Sequence, residues 1–122
     1  MKGTKCVLVV DDEKFVQNVM KNMIEKCGLS AFCVSDGSEA INEIKANASK
    51  YKFVLMDFTM PNIDGITATQ QIRKFNKTIK IIGLSGDNDE ETTQKAMQAG
   101  MNKVLVKPLK KPQLDEIIKT FN

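Results

Sequence analysis

The sequence predicts an α/β fold: a single five-stranded parallel sheet with helices on both faces. Three observations predict it. Short apolar runs alternate with segments of helical periodicity along all 122 residues, the mark of repeated strand–helix–strand units. The connections are short, which implies right-handed crossovers over one sheet. No linker, internal repeat or low-complexity segment interrupts the alternation, so one domain is expected over residues 1–122. A chain of this length buries about two thirds of its unfolded surface and needs no disulfide or structural metal.

Cys6 to Val10 is a continuous apolar run too short for a helix, which suits a strand covered on both faces. Phe15, Val16, Val19, Met20, Met23, Ile24 and Cys27 then recur at helical spacing, and Gly28 closes that helix. Ala31 to Val34 reads as the second strand. Asp36, followed three residues on by Glu39, resembles a capping box opening a helix with Ile41 and Ile44 on its inner face. Phe53 to Met56 is the third strand, ended by Asp57 and the breakers Pro61 and Gly65, and Ile66, Ile72 and Phe75 mark the third helix. Lys80 to Leu84 is the fourth strand, after which Ala96, Met97 and Ala99 give the fourth helix only a thin apolar stripe before Gly100. Val104 to Val106 is the fifth strand. Leu114, Ile117, Ile118 and Phe121 line one face of the last helix, with Pro112 tolerated in its first turn. That helix reaches the end of the sequence, so no attached effector is expected.

Composition removes whole chemistries. With no histidine in the chain there is no Ser-His-Asp or Cys-His site, no histidine metal ligand and no residue to carry a phosphohistidine. Any chemistry must run on carboxylates, hydroxyls or lysine. Cys6, Cys27 and Cys33 are odd in number, lie in apolar segments and form no C-x-x-C pair, so they read as small buried hydrophobes in a reducing compartment rather than zinc ligands. The apolar stretch after Met1 to Thr4 is far too short for a signal segment or a membrane span. A cytoplasmic or nuclear protein is expected, with no membrane partner. The net charge of +3 rests on scattered lysines and does not argue for nucleic acid.

The acids are not scattered. Asp11, Asp12 and Glu13 form one cluster, Asp87, Asp89, Glu90 and Glu91 another, with Asp57 and Asp64 between them in sequence. The second cluster opens a helix, whose dipole it complements, and Lys110 and Lys111 read as a solvated face. In open parallel sheets, sites form outside the carboxyl ends of the strands. Strand one ends in Asp11-Asp12, strand three in Asp57, strand four in Ser85 and strand five in Lys107-Pro108. With strand order 2-1-3-4-5 these side chains share one edge. Carboxylates 4 Å apart repel by about 4 kcal/mol per pair at an effective dielectric near 20, so a cation is required. Oxygen-only ligands point to a hard divalent ion, Mg2+, with room left for a phosphoryl oxygen. Lys107 supplies a fixed positive charge, Ser85 a hydroxyl, and Asp57, on a central strand, can act as the nucleophile that forms an aspartyl phosphate. Aspartates also end strands in plain solvated loops. That reading stands for any one of them, but less well for acidic pair, central acid, hydroxyl and lysine together.

The segments Val9-Val10-Asp11-Asp12-Glu13, Leu55 to Gly65 with Asp57 at its third position, Gly83-Leu84-Ser85-Gly86 and Val106-Lys107-Pro108-Leu109 resemble the receiver domains of two-component response regulators. The resemblance covers nearly the whole chain and implies the flavodoxin-like strand order 2-1-3-4-5. Carried over residue by residue, it implies Asp57 as phosphoacceptor, and Asp11 and Asp12 as the acidic pair for Mg2+, Asp12 being the direct ligand. It also implies the Thr59 backbone carbonyl as a further metal contact, Ser85 as the switch hydroxyl, and Lys107 as the family's lysine, followed by a cis proline at Pro108. Met60 matches a loop position bordering the partner's docking surface. Val104 stands where the family usually has Tyr or Phe. The aromatic half of the switch is therefore absent, and output is expected to run through Ser85, the loop after it and the fourth helix.

The stretches Leu84 to Asp87 and Ala99 to Asn102 look more like receivers of hybrid kinases and plant-type stand-alone regulators than like chemotaxis or transcriptional regulators. The implied partner is a sensor histidine kinase or a histidine-phosphotransfer protein, with the chain itself expected to be monomeric. Two other functions share these residues: a phosphorylation-independent interaction module of the same fold, and a phosphatase acting on a partner's phosphohistidine. An aspartate-nucleophile metabolic phosphatase fits less well, because such enzymes resemble a D-x-D pattern on the first strand.

Overall fold

Apolar runs without helical period form the interior strands, where both sheet faces are covered. The computed structural model describes residues 6–121. In chain order they form β1 (Cys6–Val10), α1 (Lys14–Lys26), β2 (Ser30–Val34), α2 (Gly37–Asn47), a 3-10 turn (Ala48–Lys50), β3 (Tyr51–Asp57), α3 (Gly65–Arg73), β4 (Ile81–Ser85), α4 (Glu90–Ala99), β5 (Lys103–Val106) and α5 (Lys111–Thr120). The sheet is parallel throughout, in the order β2-β1-β3-β4-β5, as expected. Every residue of β1 and β4 is buried, whereas the edge strands β2 and β5 are largely half-exposed.

Strand alternation splits the core in two. Leu8, Val10, Val54, Met56 and Ile81 face Ala40 and Ile44 of α2, Ala68 and Ile72 of α3, and Ala96 of α4. Val7, Val9, Phe53, Leu55, Ile82 and Leu84 face Met20 and Ile24 of α1 and Leu114 and Ile117 of α5. Among the described residues no helix is long and apolar enough to cross a membrane.

Several sequence expectations need correction. Phe15 belongs to the apolar stripe of α1 but is 78% exposed, because it lies in the first turn, outside the part of α1 that buries Met20 and Ile24. Phe75 lies beyond the end of α3, exposed, with the Lys45 ammonium 5.4 Å from its ring centre. Met97 is exposed too, leaving Ala96 as the one buried residue of α4. Met60, expected at a docking surface, instead has its side chain in the α2–α4 core. Cys6 is buried, but Cys27 and Cys33 are only half-buried; all three thiols are free. Asp36 caps α2 by accepting the Glu39 N–H, but the Glu39 carboxylate accepts from Ser35 N–H rather than from Asp36, one residue earlier than a capping box requires.

A polar clamp supplements the thin apolar anchor of α4. Arg73 at the end of α3 donates through Nε and Nη2 to the Gly100 carbonyl at 3.0 and 2.8 Å, and through Nη1 to the Asn76 carbonyl at 3.1 Å. It also reaches Asn102 Oδ1, which accepts from the Ile81 N–H as well. The end of α4 is thus tied to α3 and to the start of β4. Replacing Arg73 with Ala removes the donor to the Gly100 and Asn76 carbonyls and is expected to cost about 1–3 kcal/mol. Urea denaturation measures the loss, and amide exchange should show α4 opening first; unchanged protection in α4 would contradict the clamp.

Candidate functional site

Four chain segments leave the carboxyl edge of the sheet side by side. Asp11 follows β1, Asp57 ends β3, Ser85 ends β4 and Lys107 follows β5. Backbone bonds pin the exits together: Asp11 N–H donates to the Val34 carbonyl at 3.1 Å, Phe58 N–H to Leu84 at 3.1 Å, and Lys107 N–H to Ser85 at 2.7 Å. The loop after Asp57 folds back because residue 65 is glycine. A Cβ there would run into the backbone carbonyl of Asp57, and Gly65 N–H donates to the Phe58 carbonyl at 2.9 Å. Asp64, just before it, caps α3 by accepting the Thr67 N–H, so this acid serves the helix and not the cluster.

Asp11, Asp12 and Asp57 each present one carboxylate oxygen within 4.8 Å of the others. Asp11 is fully buried and Asp57 5% exposed, while Asp12 faces solvent. Lys107 places Nζ 3.1 Å from Asp11 Oδ2 and 3.4 Å from Asp57 Oδ1. Asp11 Oδ1 accepts the Glu13 N–H. Among the described residues, one ammonium thus stands in a group of three carboxylates and contacts two of them. Asp12, Asp57, Thr59 and Lys107 border an open cleft of about 240 Å³ together with Glu13 and Gly86. The peptide bond between Lys107 and Pro108 is cis.

Ser85 departs from the expected convergence. Its backbone lies at the same edge, but its hydroxyl donates to the Asp87 carbonyl and accepts the Asp87 N–H. It borders a neighbouring groove between α3 and α4 and not the carboxylate cleft. Val104 is half-buried against the α2–α4 core. Pro108 is exposed and lines an apolar hollow of about 310 Å³ with Phe15, Val16, Val19 and Leu109, which shares Lys107 with the acidic cleft. Sequence reasoning missed Gln17, which is buried beneath the acidic loop. Its place on the same helical face as Met20 and Ile24 was the available signal.

The shortage of positive charge shows in the proton affinities. Burial, and then the Asp11 carboxylate, push the Asp57 carboxyl above its ordinary value, although Lys107 and the Thr59 backbone N–H oppose them. For Lys107, burial disfavours the ammonium, but the hydrogen bond to Asp11 and the charges of Asp57 and Asp11 outweigh it and raise the value. Because folded Asp57 keeps its proton to higher pH than the unfolded chain does, the fold loses stability as pH rises from the ordinary carboxylate value through the raised one. The loss is complete once pH stands above the raised value. The Lys107 contribution falls with pH in the same direction but at the alkaline end: it is fully present below the ordinary lysine value and is lost as pH rises through the raised one.

The family description "Response regulator receiver domain" matches residues 7–119. The chain belongs to that family. Transcription factor SKN7 of Candida albicans is 37% identical over 112 residues, covering 92% of this chain and 20% of that protein. The chain spans a fifth or less of the length of this and two further yeast relatives. The receiver domain of sensor histidine kinase PA1611 from Pseudomonas aeruginosa PAO1, with a magnesium ion coordinated in its active-site cleft, superposes with a TM-score of 0.88 at 30% identity over 98% of each chain. The receiver domain of Saccharomyces cerevisiae Ssk1, in a co-crystal with the histidine phosphotransfer protein Ypd1, gives a TM-score of 0.88 at 26% identity, covering 99% of this chain and 90% of that one. This receiver domain, of the two-component phosphorelay type, therefore carries its acidic cluster at the carboxyl edge of a sheet shared with its relatives.

Removing the carboxylate that the cluster holds against its preference should stabilise the fold. With EDTA present, Asp57→Asn is expected to raise the melting temperature at pH 7. The gain should shrink towards zero as pH falls to 3, where the wild-type carboxyl is protonated in both states. A lower melting temperature for the variant at pH 7 would contradict the charge shortage.

Proposed function

We propose that this receiver domain accepts a phosphoryl group on Asp57 from the phosphohistidine of a partner protein, with Mg2+ bound, and then loses it to water or to another histidine. The observation that carries the reading is the cluster itself, three carboxylate oxygens within 4.8 Å beside a single lysine that contacts two of them. All its donors are oxygens, it is short of positive charge, and it opens to solvent at Asp12, which fits a hard divalent ion that retains water. Asp12, Asp57 and the Thr59 carbonyl would hold the ion directly, with Asp11 behind them. The ion supplies charge neutralisation for the phosphoryl oxygens.

In the transfer, an Asp57 carboxylate oxygen forms the new P–O bond as the P–N bond to the partner's imidazole breaks, and the imidazole nitrogen keeps the electron pair and takes up a proton. Lys107, already against Asp57, stands ready to pair with a phosphoryl oxygen. Ser85 can turn to the phosphoryl group only by giving up both of its bonds to Asp87. Its movement therefore frees the loop leading into α4. These 122 residues contain no histidine, so the donor lies outside them. The apolar hollow around Phe15, Val16, Val19 and Pro108 adjoins Lys107, and exposed apolar surface of this kind marks a protein-docking face. A histidine-phosphotransfer protein seated there would bring its phosphohistidine to the cleft.

Labelling with acetyl phosphate and Mg2+ tests the chemistry. Asp57→Asn is expected to abolish acid-labile, hydroxylamine-sensitive phosphorylation, while Asp12→Ala and Lys107→Ala slow it by about a hundredfold; normal labelling of Asp57→Asn would overturn the assignment. Docking is tested separately. Phe15→Asp should slow transfer from a phosphorylated histidine-phosphotransfer protein by about tenfold, consistent with loss of one central apolar contact, and leave acetyl phosphate labelling unchanged. Equal loss with both donors would move Phe15 from docking to folding.

A further inference from the structure

Gln17 is a polar residue in the middle of an apolar helical face. With Met20 and Ile24 it makes up the buried residues of α1, and it is 4% exposed. A buried amide needs partners. Its side-chain nitrogen donates to the Asp11 backbone carbonyl at 2.6 Å and lies 3.4 Å from both the Val34 carbonyl and the Ser35 hydroxyl.

The choice of acceptor gives this residue its interest. The Asp11 carbonyl belongs to the planar peptide group that joins Asp11 to Asp12. Fixing that oxygen fixes the plane from which the Asp12 side chain departs. The other polar groups of Asp11 are also held: its N–H by Val34, Oδ1 by the Glu13 N–H, and Oδ2 by Lys107. Gln17 closes the set. Asp12 itself is exposed, so its direction rests on the backbone it grows from.

We propose that Gln17 is a positioning residue for the cation site, its amide donor setting the Asp11–Asp12 peptide and through it the direction of the Asp12 carboxylate. The inference rests on the reading of Asp12 as a ligand of Mg2+. Groups that orient metal ligands from behind typically account for ten- to hundredfold in affinity. Gln17→Met keeps the length and burial of the side chain but removes the donor. The Asp11 carbonyl is then left without its partner and the peptide is free to turn.

The test is a Mg2+ titration of the intact protein followed by amide chemical shifts, with thermal melting measured in parallel. Wild type, Gln17→Met, Gln17→Asn and Ile44→Val are compared. Asn is one methylene too short to reach the Asp11 carbonyl, and Ile44→Val lowers stability in the core remote from the cluster. The proposal expects the dissociation constant for Mg2+ to rise about tenfold or more in whichever Gln17 variants fold, with no change in Ile44→Val. Lowered melting with wild-type Mg2+ affinity in a folded Gln17 variant would overturn it and leave Gln17 a packing residue. A wild-type protein that binds no Mg2+ would overturn the cation reading and this inference together.

Discussion

The contact of Lys107 with Asp11 and Asp57 is the interaction on which the site depends. The sheet delivers Asp11, Asp12 and Asp57 to one edge, and carboxylates so close repel unless positive charge stands among them. One lysine reaches two of them. Burial first and the Asp11 charge second make Asp57 hold its proton more tightly than in water, and the two carboxylates do the same for Lys107. On the proposed reading, such a site takes a divalent cation and then a phosphoryl group whose oxygens the cation and lysine share. Reactivity and a stability penalty have the same electrostatic origin.

The surrounding structure holds that tension in place. Gly65 lets the loop after Asp57 fold against its own strand, Gln17 grips the peptide ahead of Asp12, and backbone bonds between the strand exits prevent the carboxylates from spreading. The other side is looser by construction. Ser85 is tied to Asp87 by two local hydrogen bonds, and α4 buries only Ala96 while Arg73 holds its far end. A helix fixed at its C-terminus and weakly packed elsewhere is suited to follow a change in the loop before it, even with Val104 where a larger aromatic would otherwise move.

Much of this was legible in the residues. The interior strands show as unbroken apolar runs because both of their faces are covered, and Asp57, Asp11, Asp12 and Lys107 stand at strand ends, where an open parallel sheet places its site. Strand order was not readable from periodicity; it came from the resemblance to receiver domains. Periodicity also reports which residues share a face but not how far the neighbouring layer extends, so Phe15, Phe75 and Met97 were assigned to the core and lie exposed, while Met60 proved buried. The orientation of the Ser85 hydroxyl depends on the path of the loop to Asp87, which no local pattern encodes. Gln17 escaped notice because a lone polar residue in a helical stripe looks like a break in the pattern, when its burial is set by carbonyls at the ends of two strands.

On the proposed reading, the charge-starved cluster makes Asp57 the residue that takes the phosphoryl group. The most direct test of that assignment is to incubate the protein with acetyl phosphate and Mg2+, reduce it with borohydride, which converts an aspartyl phosphate to homoserine, and map the product by tandem mass spectrometry. Homoserine is expected at position 57 and nowhere else, dependent on Mg2+. Reduction at another carboxylate, or none at all in a folded protein with Mg2+ bound, would contradict it.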